Sequence, residues 1–324
     1  MGLLDLARRL TGRAAGPQRR APAPQFAATA PLPPPQPFVP TMPVTPQATG
    51  DEAGEAGKAP PQPDAGRFFV YATGRECSSG KALDDAERAV LRNLELLLQA
   101  PGSILAWIPR PPAVLPRLLA CLRDDDASLR EACALLHADP YLAAEILRLA
   151  NSARHQHGAP VTDLERAATR LGVDGLRRAV SSSLLRPLFD ARREPVLALA
   201  LPRLWAHAQS KSGWCQDIAG EHGVDSFDAY LAGLTHNLGW IGALKALGRA
   251  GVGAAPQYSR DFVQALSRCS ERMFACGAEQ WAVNDSLSRL GRVLSQRELR
   301  DCDDALARVL CEADARATEE VAAA

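Results

Sequence analysis

The chain has no apolar run approaching the roughly 18 residues that a membrane-spanning helix needs, so no transmembrane segment is expected. It also lacks net charge. Lys+Arg and Asp+Glu are 37 each, which removes bulk electrostatic attraction as a means of holding nucleic acid or anionic lipid. The eight cysteines include no C-x-x-C pair and show no zinc-type spacing. Reduced, mostly buried thiols are expected instead of a metal or disulfide framework. Histidine is scarce at six, and none follows His236, so any later polar ligand to a site must be Asp or Glu. A secreted or integral membrane protein is not expected; a cytoplasmic one is.

What is present divides unevenly. Apolar residues at 47% and charged residues at 23% suit a chain that buries a real core. Of 25 prolines, 14 fall between Pro17 and Pro63, among Ala, Gln, Gly and Thr. Such a stretch has no apolar periodicity with which to offset the entropy of ordering, so 17–66 is expected to be a disordered Pro-rich linker. Ahead of it, residues 1–16 place Leu3, Leu4, Leu6 and Leu10 on one face of a short amphipathic helix, with Arg8, Arg9 and Arg13 away from it. This is a candidate docking segment for a protein or a membrane surface. Residues 67–106 read as a helical lead-in and 107–324 as the main helical domain.

Beyond residue 80 the signals are helical. Leu83, Ala86, Val90, Leu94, Leu97 and Leu98 repeat at three and four, and Pro101-Gly102 stops them. Ser128 with Glu131, and Thr162 with Glu165, have the spacing of capping boxes. Asp139-Pro140 has the form of an N-cap followed by proline at the first helical position. Gly172 suits a left-handed helix end, Pro202 a helix start, and Asp225 or Ser226 the start of a helix running through Leu244. Strand-like alternation is faint and confined to Arg67–Ala72. The fold class is all-α, a multi-helix bundle behind a disordered Pro/Ala-rich N-terminal region.

Several of these segments resemble one family. Asp139-Pro140-Tyr141-Leu142, continuing to Leu149-Ala150-Asn151-Ser152-Ala153, is similar to the HDOD family, the HD-related output domain. So are Ala167 to Gly172, Leu204-Trp205-Ala206-His207, and Ala232-Gly233-Leu234-Thr235-His236-Asn237-Leu238-Gly239. The likeness is strongest over 107–248 and fades toward the C-terminus. It implies an all-helical, HD-like bundle distantly related to metal-dependent phosphohydrolases, mainly bacterial and often in signalling proteins.

An HD-type site uses one His, a His-Asp pair and a further Asp to hold a divalent cation that acidifies water. By resemblance His207 matches the first His and His236 the second, but the paired position holds Asn237. A neutral amide holds a hard cation poorly, so these three are expected to form a vestigial, hydrogen-bonded cluster with no metal and no cofactor. A helix-turn-helix-like pattern around Gly172, with Arg166, Arg170, Arg177, Arg178 and Arg186, is interrupted by Asp163, Glu165 and Asp174. Nucleic-acid binding is not expected. The charged segment 297–320, with Leu306, Val309 and Leu310 as a narrow stripe, reads as a surface helix that covers the bundle or meets a partner.

The expected function is therefore a non-catalytic HDOD-type regulatory module acting by protein–protein interaction in a bacterial signalling pathway. Two alternatives stay open: a degenerate metal-dependent phosphohydrolase acting on a nucleotide, and a small-ligand sensor using the vestigial pocket.

Overall fold

The computed structural model describes residues 62–122, 133–134, 136–152, 160–190, 197–251, 253 and 255–323. The candidate docking residues Leu3, Leu4, Leu6 and Leu10, most of the Pro-rich stretch and the Ser128–Glu131 box lie outside them. The described part is a helical bundle carrying one small parallel strand pair.

The first helix, α1 (Ala65–Thr73), begins inside the stretch expected to be linker. Asp64 starts it by accepting from the backbone N–H groups of Gly66 and Arg67, and Gly74, at φ +67°, ends it in the left-handed region that favours glycine. The faint strand signal over Arg67–Ala72 is thus overturned. Phe68, Phe69 and Ala72 fall on one side of a helix and are buried there. A short strand, β1 (Glu76–Ser78), follows and pairs in parallel with β2 (Gln257–Ser259).

Helix α2 (Asp85–Leu98) starts with a capping box in which Asp84 and Glu87 each satisfy the other's backbone N–H. The same Glu87 carboxylate accepts from the Ser259 backbone N–H at 2.9 Å, the Ser259 hydroxyl at 2.8 Å and the Lys81 ammonium at 2.6 Å. It thereby fastens the start of α2 to β2, far along the chain. Burial alone would raise this carboxyl's pKa, but the Lys81 and Ser259 bonds outweigh it and hold the pKa below the usual range. A one-turn helix, α3 (Pro101–Ile104), and α4 (Val114–Cys121) lead into the central part.

Helix α5 (Pro140–Ala150) has the expected start, with Asp139 accepting from the Tyr141 and Leu142 N–H groups and Pro140 in the first turn. At its end the Asn151 amide exchanges two hydrogen bonds with the Val161 backbone, both at 2.7 Å, and ties down the connection to α6 (Leu164–Leu185). The residue capping α6 is Asp163, not Thr162. Gly172, at φ +68° and ψ 171°, breaks α6 into two helical runs, as the positive φ expected there allows.

Two long pairs complete the bundle. Helix α7 (Ala200–Ile218) packs against α8 (Ser226–His236), and α9 (Leu238–Arg249) against α10 (Arg260–Trp281). The single helix expected from Asp225 through Leu244 is two helices that part at Asn237. Helix α11 (Asp285–Leu294) lies against α10, and α12 (Ala305–Ala323) lies against α7. The last segment does cover the bundle, but its helix starts only at Ala305 and is buried more deeply than a surface helix. Leu306, Val309 and Leu310 are buried as a stripe, and so are Ala313, Ala317 and Thr318, whose small size lets α12 settle close to α7.

Candidate functional site

Helices α7, α8 and α12 bring five polar side chains together in the middle of the bundle. His207 and Lys211 stand four residues apart on α7 and so share a face. His236 and Asn237 sit where α8 ends, and Asp314 comes from α12. His207, Lys211 and Asn237 have no measurable exposure, His236 is 4% exposed, and the Asp314 side chain is 17% exposed.

Close helix approach makes this geometry. A Cβ added at Gly233 would lie 2.8 Å from the Ser212 Cα, so glycine at that position is what lets α8 lie on α7. A Cβ at Gly239 would overlap the Ser270 carbonyl oxygen, so α9 meets α10 only through glycine. The chain has to turn between these two contacts, and Asn237 points inward at the turn. Its amide Nδ2 donates to the Leu204 carbonyl at 2.8 Å and approaches His207 Nδ1 at 3.1 Å.

The Lys211 ammonium is at the centre. Its Nζ lies 2.8 Å from His236 Nδ1, 2.7 Å from Asn237 Oδ1 and 2.6 Å from Asp314 Oδ1. An ammonium has three protons and these are three acceptors, so its hydrogen-bonding capacity is filled. His236 must then accept at Nδ1 and carry its proton on Nε2. His207, accepting from Asn237 at Nδ1, donates from Nε2 to the Thr318 hydroxyl at 3.1 Å. Both imidazoles are neutral. Burial, reinforced by the Lys211 charge, lowers each to about 3. Burial would raise Asp314, but the charge and the hydrogen bond of Lys211 prevail and lower it to about 2. The cluster is therefore one ion pair with neutral hydrogen-bonding neighbours.

Helix α1 covers it. The Phe68 ring lies 4.4 Å from the His207 ring, centroid to centroid, and 5.1 Å from that of Trp240. Arg203 on α7 anchors α1 by donating to the Tyr71 carbonyl at 2.9 Å. Beside the cluster is a cavity of about 270 Å³ lined by Phe68, His236, Trp240, Glu271, Arg300 and Asp314, among others. Glu271 accepts from the Leu299 N–H, and burial pushes its carboxyl up to about 7.

The structure thus assembles all three site residues expected from sequence, His207, His236 and Asn237. Sequence reasoning missed Lys211 and Asp314. Lys211 follows His207 by four residues, a spacing that puts it on the same helix face. Asp314 is a carboxylate beyond His236, of the kind that any later ligand had to be, but no motif singled it out. Among the described residues no group of three or more His, Cys, Asp or Glu side chains is arranged to hold a metal ion. The donors also do not fit a metal as they stand, because Lys211 Nζ is held by His236, Asn237 and Asp314, the groups that would have to face one. Of the arginines in the helix-turn-helix-like pattern, Arg166 and Arg186 are exposed, whereas Arg177 and Arg178 turn inward. Arg177 donates to the Leu122 carbonyl and pairs with Asp174, and Arg178 donates to Gln216 at 2.9 Å.

The all-helical bundle, with His207, His236 and Asp314 brought together from α7, α8 and α12, has the HD-like architecture expected from sequence. The sequence model of the HDOD domain matches residues 108–283, more than half of the chain, and the chain belongs to that family. The match runs past the point, near residue 248, where the motifs fade. Two solved structures share the fold. One, from Shewanella amazonensis and provisionally named a metal-dependent phosphohydrolase, is 19% identical with a TM-score of 0.52, covering 71% of this chain and 82% of that one. The other, an HDOD domain protein of unknown function from Geobacter sulfurreducens, is 22% identical with a TM-score of 0.50, covering 70% and 78%. An uncharacterized protein of Treponema pallidum is 28% identical over 140 residues, 41% of this chain and only 26% of that protein's length. Among the described residues no helix is long and apolar enough to cross a membrane.

Proposed function

We propose that this HDOD domain is a non-catalytic regulatory module of a signalling pathway that acts by recognising a protein partner. One observation carries the proposal: the Lys211 ammonium is bonded to His236, Asn237 and Asp314 at 2.6–2.8 Å, leaving these groups engaged with one another. Hydrolysis of a phosphoester in an HD-type site needs a cation with an open position for water. An ammonium with all three protons donated offers none. Phe68, packed on His207, closes the approach from the α1 side. What remains for the domain to offer is its outer surface, presented on a rigid core.

A second reading, ligand sensing, is favoured by the cavity of about 270 Å³ beside His236 and Asp314, which joins aromatic walls to charged groups.

The test uses full-length protein. With Mn²⁺ or Zn²⁺ added, no turnover of nucleotide monoesters or diesters is expected, and affinity capture from native cells should retain a protein in near-stoichiometric amount. Turnover that disappears in a His236→Ala variant would establish the hydrolase instead. A nucleotide-dependent rise in Tm without turnover would move the function to the cavity.

A further inference from the structure

We infer that the Lys211 side chain is a built-in cation standing where an HD-type site would hold a metal ion, and that removing it uncovers a divalent-metal site. The inference goes beyond the regulatory role proposed above, and its test reads metal content and stability of variants, not partner capture or turnover.

Two departures from the HD pattern make sense only together. In the His, His-Asp, Asp set two carboxylates balance a divalent cation. In this chain the paired position is Asn237, one negative charge fewer, and the cation is an ammonium, one positive charge fewer. The cluster stays neutral overall, with Asp314 against Lys211 at 2.6 Å. Either change alone would leave an uncompensated charge in the interior, which is costly.

Geometry agrees with charge. Nζ occupies the point about which His236 Nδ1, Asn237 Oδ1 and Asp314 Oδ1 are arranged, and His207 Nε2 lies 4.0 Å from the same carboxylate oxygen. Zinc binds nitrogen and oxygen at roughly 2.0–2.2 Å, so a metal would need the donors drawn inward by about 0.6 Å from their present 2.6–2.8 Å. Truncating the lysine to alanine removes the four side-chain atoms beyond Cβ and opens room for a metal and a water; deprotonated on the metal, that water would supply the second negative charge that Asn237 does not. Thr318 Oγ1, now paired with His207 Nε2, is a ready partner for that water. Further titratable groups line the cavity beside the cluster: Asp64, Arg268, Glu271, Arg300 and Asp301.

The experiment compares wild type, Lys211→Ala and Lys211→Met, all in the full-length chain, by metal analysis after equilibration with Zn²⁺ or Mn²⁺ and by thermal unfolding. Wild type should hold well under one equivalent and show no change in Tm with metal or EDTA. Lys211→Met, which fills the space without charge, should lose on the order of 10 °C in Tm and stay insensitive to metal. Lys211→Ala should lose a comparable amount, bind about one equivalent, and recover much of the lost Tm with metal but not with EDTA present. A Lys211→Ala protein that binds no metal makes Lys211 an ordinary structural lysine and overturns the inference. So does one that stays insoluble with either metal in the refolding buffer, or a wild-type protein that takes up stoichiometric metal.

Discussion

At the scale of single residues, the structure turns on buried groups whose charge state is set by their neighbours. His207 and His236 are lowered to about 3 in the folded chain, against roughly 6.5 when exposed. Unfolding at pH 5–6 therefore takes up a proton at each, and their contribution to stability fades as pH falls below about 6.5. Glu271, raised to about 7, runs the other way, because its folded form keeps a proton that the unfolded chain releases above about 4.5. The net uptake between pH 5 and 6 is about one proton, a loss of roughly 1.4 kcal/mol per pH unit as the solution is acidified. Urea unfolding across that range checks this. Glu271→Gln should steepen the slope toward two protons, and a flat profile would contradict the assignment of neutral, buried imidazoles. His207, His236 and Asn237 were legible because short motifs place them. Lys211 was not, because a lysine within a helix ordinarily reaches solvent, and only its four-residue spacing from His207 marks the exception.

At the scale of elements, glycine positions and one carboxylate decide how the helices meet. Gly233 lets α8 lie on α7, which is what carries His236 and Asn237 to Lys211. Gly233→Ala, with its Cβ 2.8 Å from the Ser212 Cα and 2.9 Å from the Cys215 sulfur, should cost about 1–3 kcal/mol by forcing the pair apart. Chemical denaturation measures it, and an unchanged midpoint would mean that the helices can yield at no cost. Glu87 joins the start of α2 to β2 through Ser259. Glu87→Ala leaves that buried backbone N–H unpaired and should cost about 2–3 kcal/mol. The Tm should fall by about 5–8 °C, whereas a Tm within a degree of wild type would show the link to be dispensable. The apolar face of α2 and the capped start of α5 could be read in advance, the first from its three-and-four spacing and the second from Asp139-Pro140. Three features could not. Helix α1 was obscured by apparent alternation over Arg67–Ala72. The break at Asn237 reflects a side chain recruited by Leu204 and Lys211, a long-range effect. Helix α12 hides much of its inner face because alanines and Thr318 extend the packing that Leu306, Val309 and Leu310 begin.

At the scale of the whole molecule, an HD-like bundle has kept its helix arrangement while its central cluster uses a lysine as the cation. The charge pattern accords with a module that needs no loaded cofactor to hold its shape, which suits a surface that is recognised rather than a site that turns over. The N-terminal segment with Leu3, Leu4, Leu6 and Leu10 is proposed as a second contact, tethered by the Pro-rich stretch so that its local concentration near the domain's partner is raised. Replacing those four leucines by serine should weaken partner capture by full-length protein about tenfold or more while leaving Tm unchanged. Capture equal to wild type would confine recognition to the helical domain. The most direct measurement on the central cluster is the divalent-metal content of full-length wild-type protein purified from metal-supplemented medium. The account predicts well under a tenth of an equivalent of iron, manganese or zinc. About one equivalent, lost in His236→Ala, would contradict it and return the site to metal chemistry.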